Sequence, residues 1–96
     1  MSPIKGSRLS GLSIGSLAMA PAFDAEVMSY TVDTANKSNK VKATAADDAV
    51  ILIECNGIVV ENGASVTWQT GENTLIVTVT DNGAEPTEYT VIVTKS

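Results

Sequence analysis

Apolar and polar residues alternate with a period of two in one short segment after another, and no segment sustains a helical period. In the run 29–34, Tyr30 and Val32 fall on one face while Thr31 and Asp33 fall on the other. In 40–47, Val41, Ala43 and Ala45 point one way and Lys42 and Thr44 the other. The same pattern offers Val66 and Trp68 to a core, then Leu75, Val77 and Val79, then Tyr89, Val91 and Val93. Residues 50–57 are nearly all apolar, as in a strand buried on much of both faces; Ile51, Ile53 and Cys55 share one side, Leu52 and Glu54 the other. Asn56-Gly57 and Asn62-Gly63 carry a hairpin signal, because both residue types accept a positive φ. Turn residues also flank the seventies segment, at 70–73 and at 81–86. About seven short strands at this spacing predict an all-β chain folded as an antiparallel β-sandwich.

The 96 residues are expected to form one domain, 1–96, with a flexible N-terminus at 1–7. Valine, isoleucine and threonine are plentiful and aromatic residues scarce, which suits pleated, half-buried surfaces. The net charge of −5 argues against nucleic acid as a partner, and no run is long enough to insert into a bilayer. Lys37, Lys40 and Lys42 form a small basic spot, read as a solvated loop.

Residues 5–20 admit two readings. Lys5, Arg8 and Ala18-Met19-Ala20 resemble a secretory leader with its cleavage site. The interspersed Ser10, Gly11, Ser13, Gly15 and Ser16 break up the apolar run such a leader needs. Leu9, Leu12, Ile14 and Leu17 are therefore expected in a first core strand, with the domain whole.

Several segments in order resemble a known family, the bacterial cadherin-like β-sandwich domain, an immunoglobulin-like module. They are Leu-Ser-Gly-Leu-Ser-Ile-Gly-Ser-Leu at 9–17, Pro21-Ala22-Phe23 followed by Ser29 to Val32, Val41 to Asp47, and the closing run Gly71 to Lys95. The resemblance implies a non-enzymatic structural, adhesion or display module of a bacterial cell-surface or phage virion protein, at an extracellular, cell-surface or virion surface. Its partner would be a protein, a neighbouring domain or a cell-surface glycan. The alternative is a carbohydrate-binding or spacer module of a larger extracellular enzyme.

No catalytic constellation is visible. Histidine is absent, so neither the usual general base nor the commonest metal ligand exists. Cys55, the single cysteine, has no base to activate it and shares parity with core residues, so it is expected buried and inert. Calcium has two acidic loops to consider, Asp47-Asp48 and Asp81, Asn82 and Glu85. Neither has the alternating spacing of a calcium loop, and no cofactor is expected. Tyr30, Trp68 and Tyr89 would suit a sugar platform, but their parity assigns them to the core. Ile76 and Ile92 stand opposite the core parity of their strands. If the last two strands pair, both share one outer face and form a candidate interaction surface.

Overall fold

The computed structural model describes residues 8–20, 22–24, 26–45, 49–80 and 85–96. Eight strands follow in chain order: β1 (Gly11–Ile14), β2 (Ser29–Thr34), β3 (Ser38–Thr44), β4 (Val50–Cys55), β5 (Ile58–Val60), β6 (Ser65–Thr67), β7 (Gly71–Thr80) and β8 (Thr87–Lys95). They form a three-stranded sheet, β1-β3-β6, and a five-stranded sheet, β2-β8-β7-β4-β5. The strand beyond the expected seven is β5, whose three residues are too few to display an alternation.

The core lies between the sheets. Leu12 and Ile14 of β1, Val41 and Ala43 of β3 and Val66 of β6 face Tyr30, Val32, Ile53, Leu75, Val77, Val79, Tyr89, Val91 and Val93 of the larger sheet. Leu9 and Trp68 are buried with them, and Ala45 packs at the margin. The first strand is shorter than the apolar spacing suggests. It ends at Ile14 because Gly15 turns the chain with φ +57°; Leu17 is only half-buried after that turn. A Cβ at Gly15 would lie 2.6 Å from the amide nitrogen of Asn39, whose Oδ1 accepts a 2.9 Å hydrogen bond from the Trp68 indole. A side chain there would displace the residue that anchors the tryptophan.

The expectation of a wholly antiparallel sandwich needs one correction. β2 runs parallel to β8 over six residue pairs, from Ser29↔Thr90 to Thr34↔Lys95. A hairpin forces its strands antiparallel, but β2 reaches its sheet through the long connection 15–28 after β1 has paired in the other sheet. Phe23, Val27 and Met28 of that connection pack against the core. The hydroxyl of Tyr30 donates to the Asp24 carbonyl at 2.6 Å and accepts from its N–H at 2.9 Å. Phe23 stacks on the same ring, with centroids 5.9 Å apart.

The two Asn-Gly pairs have different fates. Asn56 (φ 53°) and Gly57 (φ 84°) close a two-residue hairpin between β4 and β5, with Cys55 opposite Ile58. Asn62-Gly63 makes no hairpin, because β5 and β6 belong to different sheets. The Asn62 amide instead accepts from the Ala43 N–H at 2.8 Å and donates to the Ala43 carbonyl at 2.7 Å, fixing a corner where the chain changes sheet. The dipeptide encodes a positive φ; where the next strand goes is decided by packing. The basic spot read as a solvated loop is also corrected, in favour of the alternation that sets Lys42 outward on a strand. Lys40 and Lys42 occupy exposed positions on β3 rather than a loop, and only Lys37 precedes the strand.

Candidate functional site

Strand β7 is the centre of the larger sheet, flanked by β4 and β8. Its inward residues fill the core, so its outward residues and those of its neighbours make one continuous face. Ile76 of β7 lies opposite Thr90 of β8, and Ile92 of β8 lies opposite Thr74 of β7. The two isoleucines are therefore diagonal neighbours on the outer face, a separation of about 7 Å that long side chains bridge. Both are half-buried, since each strand at this point has a neighbour on both sides.

The register extends the pair into a stripe. Ile76 is opposite Glu54 and Thr78 is opposite Leu52 on β4, so Leu52 is the next diagonal neighbour after Ile76. Val50 follows on the same strand, and Val59 of β5 stands across from Glu54. Val50, Leu52 and Val59 are 67%, 43% and 62% exposed. This corrects the reading of 50–57 as a strand buried on both faces: nothing in the chain covers its outer side among the described residues. Leu52, Val50 and Val59 are the members of the surface that sequence reasoning missed. The signal was present, because an apolar run has an outward half whenever only one layer packs on it.

Around the stripe the outward positions are hydroxyl residues (Ser29, Thr31, Thr74, Thr78, Thr80, Thr90 and Thr94) and carboxylates (Asp33, Glu54, Glu72 and Glu88). None of the outward positions on these five strands is Lys or Arg. A face that combines an apolar stripe with carboxylates can bury apolar area against a partner and select that partner by charge.

A second feature lies at the edge of the sandwich. A cleft of about 230 Å³ opens between β5 and β6, lined by Cys55, Ile58, Val60, Val66, Thr67 and Gln69 among others. Ile58 at its rim is 70% exposed. Cys55 at its base is buried, and that burial pushes its thiol pKa up, so the unreactive thiol is the dominant form at neutral pH. The aromatic residues supply no platform. Tyr30, Trp68 and Tyr89 are buried, and the Tyr89 hydroxyl accepts a 3.1 Å hydrogen bond from the Leu9 N–H inside the core.

The decisive comparison is with family models. The model described as the cadherin-like β-sandwich domain matches residues 9–96. The chain belongs to that family. No individual curated protein matches it. The match begins at Leu9, so the cadherin-like domain includes β1, and the segment that resembles a leader supplies Leu9, Leu12 and Ile14 to the core. No helix of the cadherin-like domain is long and apolar enough to cross a membrane among the described residues.

The calcium candidates Asp47, Asp48, Asp81 and Asn82 lie outside the described residues, as do residues 1–7. Among the described residues, no group of three or more Asp, Glu or Cys side chains is placed to hold a metal ion. Thermal melts of the domain in chelator and in millimolar calcium are expected to overlay. A rise of several degrees in calcium, abolished by Asp47→Asn or Asp81→Asn, would reveal a metal-stabilised native state.

Proposed function

We propose that this cadherin-like domain is a non-enzymatic adhesion or display module of a bacterial cell-surface or phage virion protein. It works by presenting the outer face of its five-stranded sheet to a partner. The observation that carries this reading is the diagonal line Ile92–Ile76–Leu52, extended by Val50 and Val59, on a face otherwise made of hydroxyl residues and carboxylates. A module serving only as a spacer needs a soluble surface. Threonine would serve that purpose at each of these positions, as it does at the positions between them. The apolar stripe leaves water only when another surface covers it, and burying it contributes roughly 25 cal/mol for each Å² of apolar area removed.

The test is attachment. Beads coated with the purified chain are expected to adhere to bacterial cells or to one another, and beads carrying Ile76→Thr with Ile92→Thr are expected to lose that adhesion. The double variant keeps the β-branch at both sites, so its melting temperature should stay within a few degrees of wild type. Wild-type beads that attach to nothing would leave a plain spacer as the function. A double variant that unfolds would mean the two isoleucines serve the fold rather than a partner.

A further inference from the structure

The opposite outer face of the sandwich has the complementary character. The outward positions of β1, β3 and β6 are Gly11, Ser13, Ser38, Lys40, Lys42, Thr44, Ser65 and Thr67. Lys37 lies just before β3 and is exposed. No carboxylate occupies any of these strand positions. The formal charge of −5 is thus unevenly spread. One broad face carries Asp33, Glu54, Glu72 and Glu88, and the other carries Lys40 and Lys42, with Lys37 exposed just before β3.

From this polarity we infer that the partner of the striped face is a second copy of the chain, docked through its lysine-bearing three-stranded sheet. The inference rests on the striped face being an interaction surface, and it names the occupant. Two striped faces packed against each other would set carboxylates against carboxylates, so the symmetric pairing is opposed by charge. Front-to-back stacking sets amines against carboxylates. The four-carbon stems of Lys40 and Lys42 can lie along Ile76, Ile92 and Leu52 while their ammonium groups reach the flanking acids. The three-stranded sheet brings no bulky apolar residue to the contact, so the stems supply the apolar cover. Such a contact is heterologous: each copy keeps one free face of each kind, and stacking continues into a row rather than closing as a dimer. A single contact of this kind is weak and sensitive to salt. Copies held close on a surface raise the effective concentration and favour the array.

Sedimentation velocity of the full chain over a concentration series to about 1 mM provides the test, at about 0.01 M and about 1 M salt. Association is expected at low salt and at least tenfold weaker at high salt. Lys40→Glu with Lys42→Glu, and separately Glu54→Lys with Glu88→Lys, should each weaken self-association at least tenfold while melting near wild type. All four positions face outward, so their replacement leaves the core untouched. Mixing the two variants should restore association, because each then offers the face the other needs. A wild type that stays monomeric throughout, or charge variants that associate as wild type does, overturns the inference. Adhesion of wild-type beads to cells, lost in the Ile76 and Ile92 variant but without self-association, also overturns it and leaves the adhesion function standing.

Discussion

Asn73→Ala is expected to destabilise the domain by about 3 kcal/mol, although the residue is polar and touches no candidate partner surface. Asn73 stands at an inward position of β7, in line with Leu75, Val77 and Val79, and is fully buried. A buried amide is costly unless its donors and acceptors are met. Here they are. Its Oδ1 accepts from the Gln69 N–H at 2.8 Å and from the Asn56 side-chain amide at 3.0 Å. Its Nδ2 donates to the carbonyls of Gln69 at 2.9 Å, Val93 at 3.1 Å and Gly71 at 3.2 Å. Asn73 thus ties together the β6–β7 sheet crossing, strand β8 and the β4–β5 hairpin. Truncation removes all of these bonds and leaves a small void. Asn73→Leu separates the two effects, since it fills the space and satisfies no hydrogen bond, and it should be no more stable than the alanine variant. Urea titrations with an unchanged slope report the difference directly. A loss below about 1 kcal/mol for both variants would show that water replaces the amide without cost.

The second large effect belongs to Cys55. Cys55→Asp is expected to cost more than about 3 kcal/mol at neutral pH, whereas Cys55→Ala should cost only about 1 kcal/mol. The thiol is buried beside Ile53 on the inward side of β4, at the base of the β5–β6 cleft. Alanine there loses one small apolar group, while aspartate places a carboxylate in an apolar site. The same burial sets the pH response. Desolvation raises the Cys55 thiol and, with smaller opposing contributions from the Leu9 hydrogen bond and Arg8, the Tyr89 phenol. Both folded groups hold their protons more tightly than the unfolded chain does. Their contribution is therefore complete below the ordinary thiol range, near pH 8.5, and is lost as pH rises toward the folded pKa values. Stability should fall in alkaline solution, and Cys55→Ala should blunt that fall while leaving the Tyr89 part. Thiol reagents should label wild type slowly when native and at once in denaturant. Rapid native labelling would mean that the cleft opens to the sulfur.

Much of the core is legible without coordinates because a strand separates its faces residue by residue. Tyr30, Val41, Val66, Leu75, Tyr89 and their period-two companions are assigned inward by local alternation and are found there. The same rule places Ile76 and Ile92 outward. It misleads at β4, where every residue from Val50 to Ile53 is apolar: the side of Ile53 and Cys55 is buried as their parity implies, but Val50 and Leu52 look covered and are not. It is silent at Asn73, where a polar residue at an inward position looks like an interruption. Five hydrogen bonds from chain-distant and local groups make it an organiser instead.

Local pattern alone was enough to mark the strands with two-residue periodicity, the side of each that is buried, and the positive φ at Asn56-Gly57 and Gly63, though not the one at Gly15. These are short-range properties, set by side-chain polarity and by the steric freedom of Gly and Asn. Apart from the hairpin marked by Asn56-Gly57, which strands become neighbours was settled only when the sheets closed. The parallel pairing of β2 with β8, the sheet-changing corner at Asn62 and the alignment of Ile92, Ile76 and Leu52 all depend on that choice. The gathering of carboxylates on one face and lysines on the other depends on it too. The physical reason is that period-two polarity defines one strand's faces but contains no term linking residues tens of positions apart. That link arises only when two sheets close over a shared core, and the closure sets the register that builds a surface from separate strands.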